Sequence, residues 1–155
     1  MTHSITTKGL YLAAAFAIAM TNFTNCSDKE AAGYIGQSDI AVEDGKMTPE
    51  VMLSLGRLSD PQLSPDGKTI LYGVSYTSVP DNRSCRNLFI INADGTCRRQ
   101  LTREGSSISC ARWTDGGRGI MYIQKGQLRK ATVRGLSGNS PKLVKKTVIS
   151  DIPAG

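Results

Sequence analysis

The 155-residue sequence holds one histidine, His3, and no pair of cysteines spaced C-x-x-C. These two absences argue against a zinc site of the usual kind, whose ligands come as closely spaced Cys and His. His3 lies in the segment expected to be a secretory signal, which leaves a serine triad in the mature chain without its general base. No G-x-S-x-G string occurs, so nothing encodes the strained strand-to-helix turn that exposes a nucleophilic serine. The nearest strings, Gly73-Val74-Ser75-Tyr76-Thr77 and Gly135-Leu136-Ser137-Gly138-Asn139, both lack the final glycine. Long apolar runs are missing too. The uncharged segment Leu10–Met20, at 1.5 Å per helical residue, is too short for a hydrocarbon core of about 30 Å. Acidic residues are scarce in one half. Residues 83–146 carry three Asp or Glu against fourteen Lys or Arg, whereas residues 27–82 carry nine against four. A basic half fits either an anionic partner or a solvated outer surface on a β-rich module. With no groove-reading motif present, nucleic acid is not an expected partner.

What is present begins with Leu10–Met20, preceded by Lys8 and followed by polar residues. This pattern suits the apolar region of a secretory signal, expected over residues 1–25. Cys26, after Phe23-Thr24-Asn25 and before Ser27-Asp28-Lys29-Glu30, resembles the lipidated cysteine of a bacterial lipoprotein. That resemblance implies an exported protein, periplasmic or anchored to the outer membrane of a Gram-negative bacterium. The alternative is cleavage near Ala17 or Ala19 with a free Cys26. Three further cysteines remain, Cys85, Cys97 and Cys110. At most one intramolecular disulfide can form among them, with the pairing open.

Residues 26–46 read as a linker or lipoprotein tether, with little apolar periodicity. A short lead-in helix is expected within 47–58. Thr48 is placed to cap it, Pro49 suits its first position, Glu50 complements its positive end and Gly56 stops it. Val51, Met52 and Leu55 should pack against the strands after it. From Asp60-Pro61 the pattern changes to short strands separated by turns. Ser64-Pro65-Asp66-Gly67-Lys68 should bend strand 62–64 into strand 69–75, and Asp94-Gly95 should join Leu88–Ile91 to Cys97–Leu101.

The stretch "QLSPDGKTILY" at 62–72 returns as "RWTDGGRGIMY" at 112–122, a constant offset of fifty. The second copy predicts strands 109–113, 118–123, 127–133 and 141–145. Leu128 matches Leu88 at an offset of forty, and Leu143 is expected to match Leu101. A four-stranded unit recurring at this period reads as the blade of a β-propeller. The expected fold is all-β, with blade 1 over 59–106, blade 2 over 107–150 and a truncated continuation at 151–155. Two blades make an incomplete propeller, so the chain reads as an N-terminal piece of a longer protein or a truncated gene product.

"LSPDGKTILY" at 63–72 and "NLFIINADGTCRRQLT" at 87–102 resemble the Pro-Asp repeat of two kinds of propeller. One belongs to the TolB translocation protein, the other to the prolyl oligopeptidase family of serine peptidases. Trp113-Thr114-Asp115-Gly116-Gly117 is a degraded second instance without the proline. "MTPEVMLSLGRLSDPQLSPDGK" at 47–68 is similar to the start of dipeptidyl-peptidase-like and acylaminoacyl-peptidase-like members. The resemblance implies peptide substrates and a C-terminal α/β-hydrolase domain carrying Ser, Asp and His. No catalytic residue carries over to this chain, which is expected to be inactive alone and to need no cofactor. A TolB-like interaction propeller without enzymatic activity is the alternative.

Trp113, Tyr72, Tyr122 and Phe89 occupy strand positions and are expected to be core between the blades rather than a ligand platform. Glu104, acidic in a basic stretch, could bind a substrate amine or lie in a solvated loop. Arg98, Arg99 and Arg103 flank a strand end and are expected to face water, with a role in binding acidic ligands as the alternative.

Overall fold

The computed structural model describes residues 31–138 and 140–150. The expected signal segment, Cys26 and residues 151–155 lie outside them. Among the described residues no helix is long and apolar enough to cross a membrane.

Helix α1 spans Pro49–Ser54, and the Thr48 hydroxyl accepts the Val51 amide at 3.3 Å, the capping its sequence calls for. Of Val51, Met52 and Leu55, the residues expected to pack against the strands, only Val51 is buried; Met52 and Leu55 are 52% and 53% exposed. The helix makes less than two turns, so a single position meets the sheet. Gly56 does not end it through a left-handed conformation, since Leu55 has already turned extended at φ −68, ψ 133. Gly56 is required for space: a Cβ there would lie 2.7 Å from Tyr76 Cε1 and 2.9 Å from Val74 Cγ1.

Eight strands follow in two four-stranded antiparallel sheets. The first holds β1 (Arg57–Leu63), β2 (Thr69–Ser78), β3 (Arg83–Asn92) and β4 (Arg99–Gln100); the second holds β5 (Ile108–Thr114), β6 (Gly119–Gln124), β7 (Gln127–Arg134) and β8 (Lys142–Val148). In each sheet the strands lie side by side in chain order. The turn residues act as their chemistry dictates. Asp66 Oδ1 accepts from the Ser64 hydroxyl at 2.6 Å and the Lys68 amide at 3.2 Å, with Gly67 at φ 70. Asp94 Oδ1 accepts from the Thr96 amide and hydroxyl at 2.9 and 2.6 Å, with Gly95 at φ 84. β4 is shorter than expected because Cys97, at φ 54, breaks the extended run before Arg98.

The offset of fifty is carried into the hydrogen-bond register. Ser59↔Gly73, Gln62↔Leu71 and Leu63↔Ile70 in the first sheet become Ser109↔Ile123, Arg112↔Met121 and Trp113↔Ile120 in the second. Both copies break register at the same place, where Asp60 and Cys110 each adopt φ 51. The offset of forty also holds, Ile70↔Ile91 becoming Ile120↔Ala131. It arises because β6 and β7 are joined by the two-residue turn Lys125-Gly126, both at positive φ.

The fourth strands do not match as the sequence suggests. Leu101 donates its amide to Leu88 O at 2.8 Å, and the residue that does this to Leu128 O, also at 2.8 Å, is Ile149 and not Leu143. Thr102 Oγ1 accepts the Leu88 amide at 2.9 Å as Ser150 Oγ accepts the Leu128 amide at 2.8 Å. Leu143 instead pairs with Val133, further along the same strand, and packs against the core.

The sheets stack front to back. Leu71, Leu88, Ile90 and Leu101 on the back of the first sheet pack against Ile108, Ala111, Ile120, Tyr122, Ala131 and Val133 on the front of the second. Tyr72, the register equivalent of Tyr122, lies on the front of the first sheet with Val74, Tyr76, Cys85 and Phe89. That front is covered in part by the described portion of the expected tether. Ile35 is buried there, and the Tyr34 hydroxyl accepts from Gln100 Nε2 at 2.9 Å.

Candidate functional site

None of the strings that faintly resemble a nucleophile turn is built as one. Ser75 lies mid-strand in β2, flanked by Arg57 and Arg86, and accepts from Arg86 Nε at 3.3 Å. Ser137 sits in the loop before β8, where Leu136 and Gly138 give their carbonyls to Arg99 Nη1, each at 2.5 Å. Among the described residues no group of three His, Cys, Asp or Glu is placed to hold a metal ion. Cys85, Cys97 and Cys110 are all free, so the one disulfide allowed by their number does not form. Burial pushes the Cys85 thiol up, which makes it a poor nucleophile.

Two constellations concentrate polar chemistry. The first lies where the chain passes from β4 to β5. Asn87 is 1% exposed; its Nδ2 donates to Glu104 O at 3.1 Å, and its Oδ1 accepts from the Glu104 amide and the Thr102 hydroxyl at 2.8 Å each. This fixes Glu104, whose carboxylate accepts from Lys146 Nζ of β8 at 2.6 Å. Glu104 is therefore a brace between the sheets and neither a solvated loop residue nor an open amine site. Gly105 next to it admits no side chain, since a Cβ would fall 1.9 Å from the Ala32 carbonyl oxygen.

Burial pushes the Glu104 carboxyl up, but Lys146 outweighs that and holds it below the ordinary glutamate value. A depressed folded-state pKa gives stability that is present above the unfolded value and is lost as pH falls through the folded one. Wild-type chain is thus expected to lose more stability between about pH 5 and about pH 3 than Lys146→Met, where burial is opposed only by Gln124 and Arg129. Urea midpoints across that range test it, and parallel declines would show that the pair contributes nothing.

The second constellation is the front of the first sheet. Tyr72 and Phe89 stack with ring centroids 5.9 Å apart, and the Arg98 guanidinium lies 5.4 Å from the Phe89 centroid. Arg98 is exposed, as expected, and projects over an aromatic floor. Arg99 departs from that expectation, since beyond Leu136 and Gly138 it donates to Cys97 O at 2.9 Å and Asn92 Oδ1 at 3.1 Å. Trp113 is part of the packing between sheets, its Nε1 donating to Gln62 O at 3.1 Å. The pattern of residues did not single out Asn87 or the Asp60–Arg112 ion pair, 2.7 Å between β1 and β5. Both depend on partners far away in sequence.

No family model matches the chain. The matched stretch is peptidase-related. It is 37% identical over 98 residues, 60% of this chain, to dipeptidyl-peptidase 5 of Porphyromonas gingivalis, and 37% identical over 81 residues, 52% of this chain, to dipeptidyl-peptidase 5 of Porphyromonas endodontalis. The alignments span only 14% and 12% of those dipeptidyl-peptidases.

Proposed function

We propose that this chain forms an N-terminal propeller portion of an exported serine peptidase, lipid-anchored through Cys26, that removes dipeptides or acyl-amino acids from oligopeptides. The observation that carries the reading is the 37% identity to dipeptidyl-peptidase 5 over 98 residues. The repeated register, with left-handed Asp60 and Cys110 at equivalent bulges, supports a tandem blade unit. In this reading the Ser, Asp and His belong to an α/β-hydrolase domain outside these 155 residues. The two sheets would contribute part of the wall that limits access to it. Of their own serines, Ser64 and Ser78 donate only to turn carboxylates, Asp66 at 2.6 Å and Asp81 at 2.8 Å, and Ser75 is held in a strand ladder by Arg86.

Purified chain is expected to leave dipeptidyl chromogenic substrates uncleaved, and turnover blocked by a serine-directed phosphonate would overturn that. Coding DNA past codon 155 gives the decisive reading. An in-frame Gly-x-Ser-x-Gly followed by Asp and His supports the peptidase. Further blades and then a stop would replace it with a binding propeller. Intact mass of membrane-extracted protein, starting at an acylated Cys26, tests the anchor.

A further inference from the structure

We propose that the front of the first sheet holds a binding site for a carboxylate carried on an apolar or aromatic body, with Arg98 as the anion-binding residue. This does not rest on the peptidase reading, and it concerns the front face as this chain presents it, with no further blade seated on it.

The placement of Arg98 begins with Cys97. It ends the turn at φ 54, and the consecutive arginines that follow go to opposite faces, as successive strand residues do. Arg99 pairs with Ile90 on the back and is consumed by carbonyl oxygens at Cys97, Leu136 and Gly138. Arg98 lies on the front over Phe89, with the Tyr72 and Tyr76 hydroxyls beside it. Arg112, Lys130 and Lys146 each have a carboxylate within 2.9 Å, whereas no carboxylate among the described residues pairs with Arg98. A guanidinium over the Phe89 ring, beside two tyrosine hydroxyls and with no carboxylate partner, is open to an anion.

Space adjoins it on two sides. Cavities of about 490 and 410 Å³ share Gln37, Tyr76 and Arg98 in their walls. The larger runs along Val51, Leu55, Leu58 and Val74, and the smaller along Tyr34 and Phe89. Neither is lined by an acidic residue or by a second basic one. One planar cation matches the single charge of a carboxylate, which it can grip through two parallel N–H bonds, better than the double charge of a phosphate. The apolar walls select what the carboxylate is attached to. A peptide C-terminus next to an apolar side chain has this chemistry, and so does a free aryl acid.

The test is an NMR titration of the full chain, following the Arg98 Nε–H resonance. N-acetyl-phenylalanine stands for a peptide terminus, phenylacetate for a free aryl acid, and N-acetyl-phenylalaninamide for the uncharged control. Saturable shifts are expected with the first two, and binding at least about tenfold weaker with the amide, as loss of a charge-assisted pair implies. If only one acid binds, it identifies the source. Arg98 is exposed, so Arg98→Gln should keep the wild-type melting temperature and lose binding by a similar factor. Arg98→Lys should recover it only in part, because the fork is lost. Phe89→Leu keeps the cation and removes the floor, and should weaken aryl acids. Equal affinity for acid and amide, equal affinity in Arg98→Gln, or no saturable shift with either acid overturns the proposal. The absence of hydrolase sequence downstream would sink the peptidase reading and leave this result standing.

Discussion

Replacing Asn87 with Ala is expected to lower the unfolding free energy by about 3 kcal/mol, a cost set by what the substitution strands. The side chain is 1% exposed and serves the amide and carbonyl of Glu104 and the hydroxyl of Thr102. Thr102 in turn receives the Leu88 amide. Alanine would leave these groups in a buried space with no protein partner, each losing its exchange for water. The consequence reaches beyond β3, because Glu104 holds Lys146 of the other sheet. Urea denaturation measures the cost, and amide exchange should show early opening of residues 101–107. A loss below about 1 kcal/mol would mean that water fills the gap and satisfies the same groups.

A second large effect is expected from Leu71→Ala. Leu71 is completely buried between the sheets, touching the cluster that contains Leu88, Ile90, Ile120 and Tyr122. Leucine-to-alanine changes at such sites cost about 2–5 kcal/mol, the spread reflecting how far the surroundings collapse. Here both faces of the gap are pleated sheets tied by their own ladders, so collapse is limited and a value of about 3–4 kcal/mol is expected. Leu63→Ala is the control. Leu63 is 60% exposed, and its change should stay within about 0.5 kcal/mol. With natural domains stable by only about 5–15 kcal/mol, combining Leu71→Ala with Asn87→Ala should leave the chain largely unfolded. If Leu71→Ala and Leu63→Ala cost the same, the sheets do not share a core in solution.

The two sheets were legible in the sequence because their signals are local. Asp66-Gly67 and Asp94-Gly95 carry their own hydrogen bonds within a few residues, and alternation fixes which residues of β2 and β6 point together. The repeat at fifty survives because the bulge at Asp60 and Cys110 keeps the count between turn and strand. What misled was chemistry that depends on distant partners. Leu143 looks like Leu101 by composition, yet the true match is defined by hydroxyls, Thr102 and Ser150, that reach back to the amides of Leu88 and Leu128. Met52 and Leu55 look like core on a helical wheel, but the sheet meets only the Val51 side. Glu104 could be read as free or solvated because neither Asn87 nor Lys146 is near it in sequence. Arg98 was legible as water-facing, but its contact with Phe89 was not, because the two lie on different strands.

Front-to-back stacking gives the molecule a polarity. A contact between unlike faces does not use itself up, because every sheet added by the same operation offers a new back. On the front of the first sheet Ile35 and Val51 cover part of the face, while Leu58, paired with Val74, stays 63% exposed. On the other side the back of the second sheet presents Ile123 and, at the end of β8, Ile149, 36% and 50% exposed.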